Sequence, residues 1–148
     1  MRRLTFVIAI SIYLIALLFD VITTYYGLLV PFIAWEENRL VRELLIRFDR
    51  EMALILSFFI FSVSYAALLT LFYLGELYVT FILISVTISF GHFIAAISNL
   101  SIYLNKLWLW YSLRVLVANS EYIFLTVSVS AMLVEYCYKR KAKCKAVT

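Results

Sequence analysis

Four long apolar stretches limit the possible folds of this chain more than any other feature. A helix needs about 20 consecutive apolar residues to cross about 30 Å of hydrocarbon. Four stretches approach or exceed this length: residues 4–30, 52–74, 78–100 and 122–138. They lack the two-residue alternation of transmembrane β-strands. The pattern predicts an all-α integral membrane protein, a single domain built as a four-helix transmembrane bundle.

The composition excludes a soluble fold. Of 148 residues, 66% are hydrophobic and 15% are charged, whereas a soluble domain is about half apolar and a quarter charged. A chain this small has too much surface to bury the excess. The start, Met-Arg-Arg before a long apolar run, has more apolar residues than a signal peptide and no small-residue cleavage site. We therefore expect a retained first helix.

The positive charges are concentrated at the two ends of the chain. The net charge is +4, from 13 Lys and Arg against 9 Asp and Glu. Arg2 and Arg3 begin the sequence, and residues 139–148 form a basic tail. Such tails bind anionic lipid headgroups, so the charge does not predict nucleic-acid binding. We expect a multi-pass protein of the cell membrane, with the lipid bilayer as its main partner and both termini in the cytoplasm.

Two connections between the apolar stretches have amphipathic helical patterns. Residues 36–51 place apolar side chains on one helical face. The other face has charged residues at i,i+4 spacing, such as Arg39 and Glu43. Residues 101–117 show a similar pattern beside Lys106 and Arg114. Each segment is predicted to be a helix lying in the membrane interface. Each could instead extend a neighbouring span.

Polar residues inside the apolar stretches are the candidate functional residues, because their cost in a bilayer requires a partner or a cavity. Asp20, Thr23 and Thr24 form a polar stripe on the first span, and His92 and Asn99 form one on the third. Asp20 lies roughly 24 Å, and His92 roughly 21 Å, from the start of its span. Since these two spans run in the same direction, an Asp20–His92 pair is predicted to be possible.

These residues suggest a polar intramembrane pocket that opens outward. Its predicted mouth consists of Glu36, Asn38, Asn119 and Glu121. Such a pocket could bind an ion, a lipid or a small molecule, or relay a proton. Alternatively, Asp20 bonds locally and only holds the bundle together. One histidine without paired local ligands does not predict a metal site, and no cofactor is predicted.

Other motifs give no support for catalysis. One class of intramembrane protease needs a serine in a Gly-x-Ser-x-Gly-type motif, and another needs an accompanying motif with a second histidine. The sequence contains neither motif. Cys137 and Cys144 have no zinc-module spacing and are expected to be reduced thiols. A stripe of small residues at Thr87, Gly91 and Ala95 favours helix packing within the bundle, with a homodimer interface as the alternative.

The residues Asp20-Val-Ile-Thr-Thr and Glu36-Glu-Asn-Arg-Leu resemble a family of small uncharacterised prokaryotic membrane proteins. In that family an Asp/Thr stripe in the first span precedes a Glu-x-Asn-Pro-Leu element. Glu36, Asn38 and Leu40 match this element, and Arg39 replaces its proline. The resemblance implies a four-span fold and no established activity.

The function predicted from the sequence is that of a small, non-enzymatic membrane protein with a polar pocket for an ion, lipid or small molecule. An accessory or structural subunit of a larger membrane complex is the alternative, because polar stripes and small-residue faces also pack against partner proteins. A proton-coupled transporter or intramembrane enzyme using Asp20 and His92 is the second alternative.

Overall fold

All secondary structure in the described part of the chain is helical. The computed structural model describes residues 2–29 and 38–145. Side chains are described for all of these except Arg2, Ala118, Ser120, Glu121 and residues 142–145. Within these ranges, four helical regions are long and apolar enough to cross a membrane. The predicted all-α, four-span bundle is confirmed.

Six helices lie in the described ranges, and four of the six belong to the predicted spans. Their bounds are α1 Arg2–Gly27, α2 Arg39–Arg47, α3 Arg50–Leu74, α4 Tyr78–Tyr103, α5 Leu107–Ala118 and α6 Ser120–Lys145. The spans predicted at 4–30, 52–74, 78–100 and 122–138 correspond to α1, α3, α4 and α6. The last predicted residue of the first span, Val30, lies outside the described residues.

Helix caps divide the first amphipathic connection into two helices. The Asn38 side chain accepts hydrogen bonds from the backbone of Leu40 and Val41 at the start of α2. The Asp49 carboxylate accepts from Met52 N at 2.8 Å and starts α3. Phe48, between them, has extended backbone. Since such caps favour new helix starts, the segment predicted at 36–51 contains α2 and the first two residues of α3.

The second connection is shared between two helices as well. α4 continues to Tyr103, and the turn that follows includes Asn105 in the left-handed region at φ 56°, where asparagine is tolerated better than most residues. α5 then packs against α4. The apolar region continues from Leu107 to Lys141, across α5 and α6. This arrangement fits the alternative in which the segment 101–117 extends its neighbouring spans.

α4 is the central helix, and it packs most extensively against α1. The two helices run in the same direction: the rings of Phe6 and Phe81 lie 5.8 Å apart near their N-termini, and those of Tyr26 and Tyr103 lie 5.3 Å apart near their C-termini. The main buried cluster is formed by residues of α1, α3 and α4: Tyr13, Leu17, Tyr65, Leu69, Phe81 and Ile84. This packing fixes the relative depth of the polar stripes on α1 and α4.

Glu135 of α6 holds the N-terminus of α4. Leu77, which precedes α4, provides no side-chain cap. Instead the Glu135 carboxylate accepts hydrogen bonds from Thr80 N at 2.9 Å, Thr80 Oγ1 at 2.8 Å and Val79 N at 3.4 Å. The Lys139 ammonium donates to the Glu76 carbonyl at 2.6 Å. The first backbone N–H groups of a helix have no partner within it. Glu135 of α6 therefore provides the acceptors that the N-terminus of α4 lacks.

We predict that Glu135→Ala destabilises the bundle by about 1–3 kcal/mol, because it leaves the buried Thr80 N–H without an acceptor. Glu135→Gln keeps one acceptor oxygen and should lose less. The measurement is thermal unfolding of detergent-solubilised protein. Glu51→Ala, an exposed glutamate in the first turn of α3, is the control and should change stability little. Equal melting temperatures for Glu135→Ala and Glu51→Ala would contradict the capping role.

Candidate intramembrane polar site

The polar stripes of α1 and α4 face each other within the bundle. His92 Nδ1 lies 2.7 Å from Asp20 Oδ2, although the two residues are 72 positions apart in the sequence. The side chains are 21% and 17% exposed, respectively. The pair forms because α1 and α4 run in parallel and place these residues at the same depth. The structure therefore brings together the two residues for which the sequence predicted matching depth.

Asn99 lies two helical turns after His92 on α4. It bonds to Asp20 and to Thr24, which is one turn after Asp20 on α1. Its amide nitrogen donates to Asp20 Oδ1 at 3.2 Å and to Thr24 Oγ1 at 2.8 Å. Gly27 packs against Asn99 here: a Cβ at this position would be in ordinary contact with the Asn99 carbonyl, at 3.5 Å. Asp20, Thr24, His92 and Asn99 thus form one hydrogen-bonded network between two helices, and we call it the polar network.

Thr23 is placed differently from the other predicted site residues. Its hydroxyl donates to the carbonyls of Phe19 and Asp20 in its own helix, at 2.9 and 3.0 Å. Such local bonds satisfy a threonine hydroxyl inside a helix without a partner from another element. Thr23 is buried, but among the described residues it makes no hydrogen bond to the side chains of the polar network.

The hydrogen bonds of the polar network determine which atom of His92 remains available. An ionised carboxylate can only accept, so an ionised Asp20 requires the proton of a neutral His92 to be on Nδ1. The second ring nitrogen, Nε2, is then an acceptor. Within the described residues, Nε2 makes no hydrogen bond. A carboxylate that fixes one imidazole nitrogen and leaves the other for a ligand is a recurring arrangement in binding and catalytic sites.

Two tyrosines surround the imidazole of His92. The ring of Tyr13 meets His92 edge-on at 5.6 Å between centroids and stacks on Tyr65 at 3.7 Å. The Tyr13 hydroxyl donates to the Phe61 carbonyl at 3.1 Å, which links α1 to α3. The Tyr65 hydroxyl, by contrast, is buried without a hydrogen-bond partner among the described residues. Sequence reasoning missed both tyrosines, because aromatic residues occur throughout the apolar stretches.

A cavity of about 540 Å³ adjoins the polar network. Its walls include four predicted pocket residues, namely Asp20, Thr24, His92 and Asn99, and the predicted mouth residue Asn38. Walls of the cavity come from all six helices. The volume falls within the range of small-molecule sites, about 300–1,000 Å³.

The remaining predicted mouth residues are not gathered at this cavity. Asn119 is exposed, and its amide donates to the Val115 carbonyl at 2.6 Å. Glu36 lies outside the described residues, and the side chain of Glu121 is not described. In the described part of the chain, Asn38 is therefore the one predicted mouth residue that lines the cavity.

The small-residue stripe of α4 lies along the cavity. Thr87, Gly91 and Ala95 are all in its wall. A Cβ added at Gly91 would have no atom within 4 Å, so this position faces open space. The absence of side-chain bulk here therefore leaves room beside His92.

The gap between α3 and the α5–α6 region accounts for the cavity. α3 contributes Leu54, Phe61 and Leu68 to the walls, and the opposite side includes Trp110 and Phe124. In the described part of the chain, α3 packs against α1, α2 and α4, and its backbone stays more than 8 Å (Cα–Cα) from α5 and α6. The cavity occupies the space between these helices.

No cluster that could hold a metal is present among the described residues: no three His, Cys, Asp or Glu side chains are grouped together. Cys137 is an exposed free thiol. Comparisons with protein-family models, with curated proteins and with solved structures find no match for this chain. The resemblance noted from the Asp20 to Leu40 segment therefore stays a prediction.

We predict that Asp20 and Asn99 are energetically coupled. Asp20→Ala and Asn99→Ala should each destabilise the protein, and the double variant should lose about 0.5–2 kcal/mol less than the sum, as expected for an interhelical hydrogen bond in a membrane. Unfolding in detergent measures the cycle. The pair Thr23→Ala with Asn99→Ala is the control, because Thr23 bonds only its own helix. Strictly additive losses for Asp20 and Asn99 would contradict the network.

Proposed function

We propose that this chain is a small polytopic membrane protein that binds a ligand in the cavity beside Asp20 and His92. One observation carries the proposal: His92, oriented by a 2.7 Å bond to Asp20, lies in the wall of a 540 Å³ cavity with its Nε2 unpartnered among the described residues. A polar atom at this depth gains most from a hydrogen bond to a bound molecule, because the surrounding hydrocarbon offers none.

A purely structural role accounts for less of the geometry. Structural packing explains why Asp20 accepts from His92 and Asn99, since these bonds satisfy the carboxylate. It does not explain why the cavity adjoins the network or why Gly91 leaves space beside His92. A bulky residue at position 91 would occupy part of this space. The binding hypothesis explains both features.

An accessory-subunit function has weaker support from the contacts. The sequence basis for it was the pair of polar stripes and the small-residue face. The two stripes face each other within the chain, and the small-residue face lines the cavity. What α6 presents outward is largely apolar, as with Val134 and Tyr138, and bilayer lipid covers such a surface. We keep this function as the alternative.

The Asp20–His92 hydrogen bond also supports a second candidate, proton-coupled transport. Histidine changes its charge near neutral pH, and a carboxylate neighbour can exchange a proton with it. In a proteoliposome assay, pH-dependent uptake that is lost in Asp20→Asn would favour this candidate. Uptake that persists in Asp20→Asn would remove the proposed proton route while leaving ligand binding intact.

The location belongs to the same proposal. We propose that the chain lies in the cell membrane with both termini in the cytoplasm. The basic side chains near the end of α6, among them Lys139, Arg140 and Lys141, support this orientation, since such residues are enriched on the cytoplasmic side. Asp20 and His92 then lie towards the outer face, because α1 and α4 both run outward.

We predict that a small molecule remains bound when the protein is solubilised gently, and that Gly91→Phe removes it. The phenyl ring would occupy the open space beside His92. Native mass spectrometry compares the bound mass in the two proteins. The control is Val86→Phe, which adds bulk on the exposed outer face of α4 and should leave the bound mass unchanged. Absence of any bound mass, or its survival in Gly91→Phe, would contradict binding in this cavity.

A further inference from the structure

The route into the cavity bears on the chemical class of its ligand. α3 and the α5–α6 region both line the cavity, and their backbones stay more than 8 Å apart (Cα–Cα) within the described residues. Two spans that are separated in this way leave a lateral opening towards the bilayer. A molecule dissolved in the membrane can therefore reach His92 from the side, without crossing the headgroup region.

The walls next to this opening suit an apolar chain. Leu68 of α3, Ile88 of α4 and Phe124 of α6 all line it, and all three are half-buried. Apolar walls of this kind retain hydrocarbon by close packing rather than by the hydrophobic effect, because the bilayer is itself apolar. Affinity and selectivity must then come from the polar end of the ligand.

The available polar atoms favour an uncharged hydroxyl group. In a neutral His92 whose Nδ1 donates to Asp20, Nε2 accepts a hydrogen bond. Tyr65 lines the same cavity, but its hydroxyl is buried and has Ser85 of α4 as a polar neighbour. The Tyr13 ring contacts both Tyr65 and His92. A ligand hydroxyl can donate its hydrogen to His92 Nε2 without any further polar partner.

Charged head groups fit the same atoms less well. A trimethylammonium group has no hydrogen to donate to His92 Nε2. Arg39 and Arg114 line the cavity, but both are exposed, and a phosphate group would be drawn to them instead of to His92. The head-group charge is therefore the variable that an experiment should change.

We infer that the ligand is a membrane-soluble alcohol: a long-chain or polycyclic molecule whose hydroxyl group bonds to His92 and whose hydrocarbon part lies between α3 and α6. This inference rests on the proposed binding function and adds the ligand class and the lateral route. It requires no covalent step, and the polar network stays intact on binding.

The test uses a long-chain primary alcohol that carries a photoactivatable diazirine on its hydrocarbon chain. The probe is added to the full-length protein in lipid nanodiscs, and the labelled peptides are identified after irradiation. Two homologues with the same chain carry a phosphate or a trimethylammonium group in place of the hydroxyl. We expect the alcohol to label α3 and α6 around Leu68 and Phe124, and unlabelled long-chain alcohol to displace it.

Variants separate head-group recognition from folding. His92→Phe removes the acceptor nitrogen and should weaken binding of the alcohol probe by about tenfold, which is typical for one lost hydrogen bond. Val86→Phe, on the exposed face of α4, should label as strongly as the unaltered protein. If His92→Phe does not fold, the comparison of the three probes on the unaltered protein still tests the hydroxyl head group.

Each contrary outcome overturns a defined part of the inference. Equal or stronger labelling by the phosphate or trimethylammonium homologue would overturn the hydroxyl head group. Competition by a short, water-soluble alcohol as effective as the long-chain one would overturn the lateral route. Absence of specific labelling would overturn the ligand class. The bound mass that is sensitive to Gly91→Phe would still support the proposed function in all three cases, whereas its absence would remove that function as well.

Discussion

The hydrogen bond between Asp20 and His92 is the interaction on which the arrangement of the bundle depends. A carboxylate within a bilayer is costly unless a partner compensates it. Asp20 obtains two partners, His92 and Asn99, and both lie on α4. Because the Asp20 carboxylate must reach both His92 and Asn99, which lie two turns apart on α4, the bonds fix both the rotation and the axial position of α1 against α4. The polar residues thus determine how two otherwise apolar helices pack.

α4 is also held at its opposite end. Near its N-terminus, Glu135 of α6 accepts hydrogen bonds from Thr80, and the polar network lies nearer its C-terminus. Helices in a membrane gain little from apolar contact alone, since lipid is equally apolar. Two polar contacts at different depths therefore fix the position of α4 relative to both α1 and α6. α3, which makes fewer contacts with α4 than α1 does, is left at a distance from α6.

The sequence predicts the spans and the Asp20–His92 pair for simple reasons. Hydrocarbon thickness sets the length of an apolar stretch, and a constant rise per residue converts position into depth. Rotation of each helix about its axis has no comparable signal. The cavity depends on such rotation, because it exists where α3 and α6 fail to meet. The capping role of Glu135 also depends on the rotation of α6. From the sequence it is only a charged residue near the end of a span, whereas in the structure it caps α4.

A cavity has a different meaning in a bilayer from its meaning in a soluble protein. In a water-soluble core a void costs stability, because its walls lose contacts that nothing replaces. Between membrane helices, lipid or another apolar molecule can enter and restore them. Apolar walls such as Leu68 and Phe124 are satisfied by any such molecule. The Nε2 atom of His92 is not, because lipid chains offer no hydrogen bond. In the proposed binding function, the selectivity of this cavity would rest on the one ring nitrogen that the bond to Asp20 leaves unused.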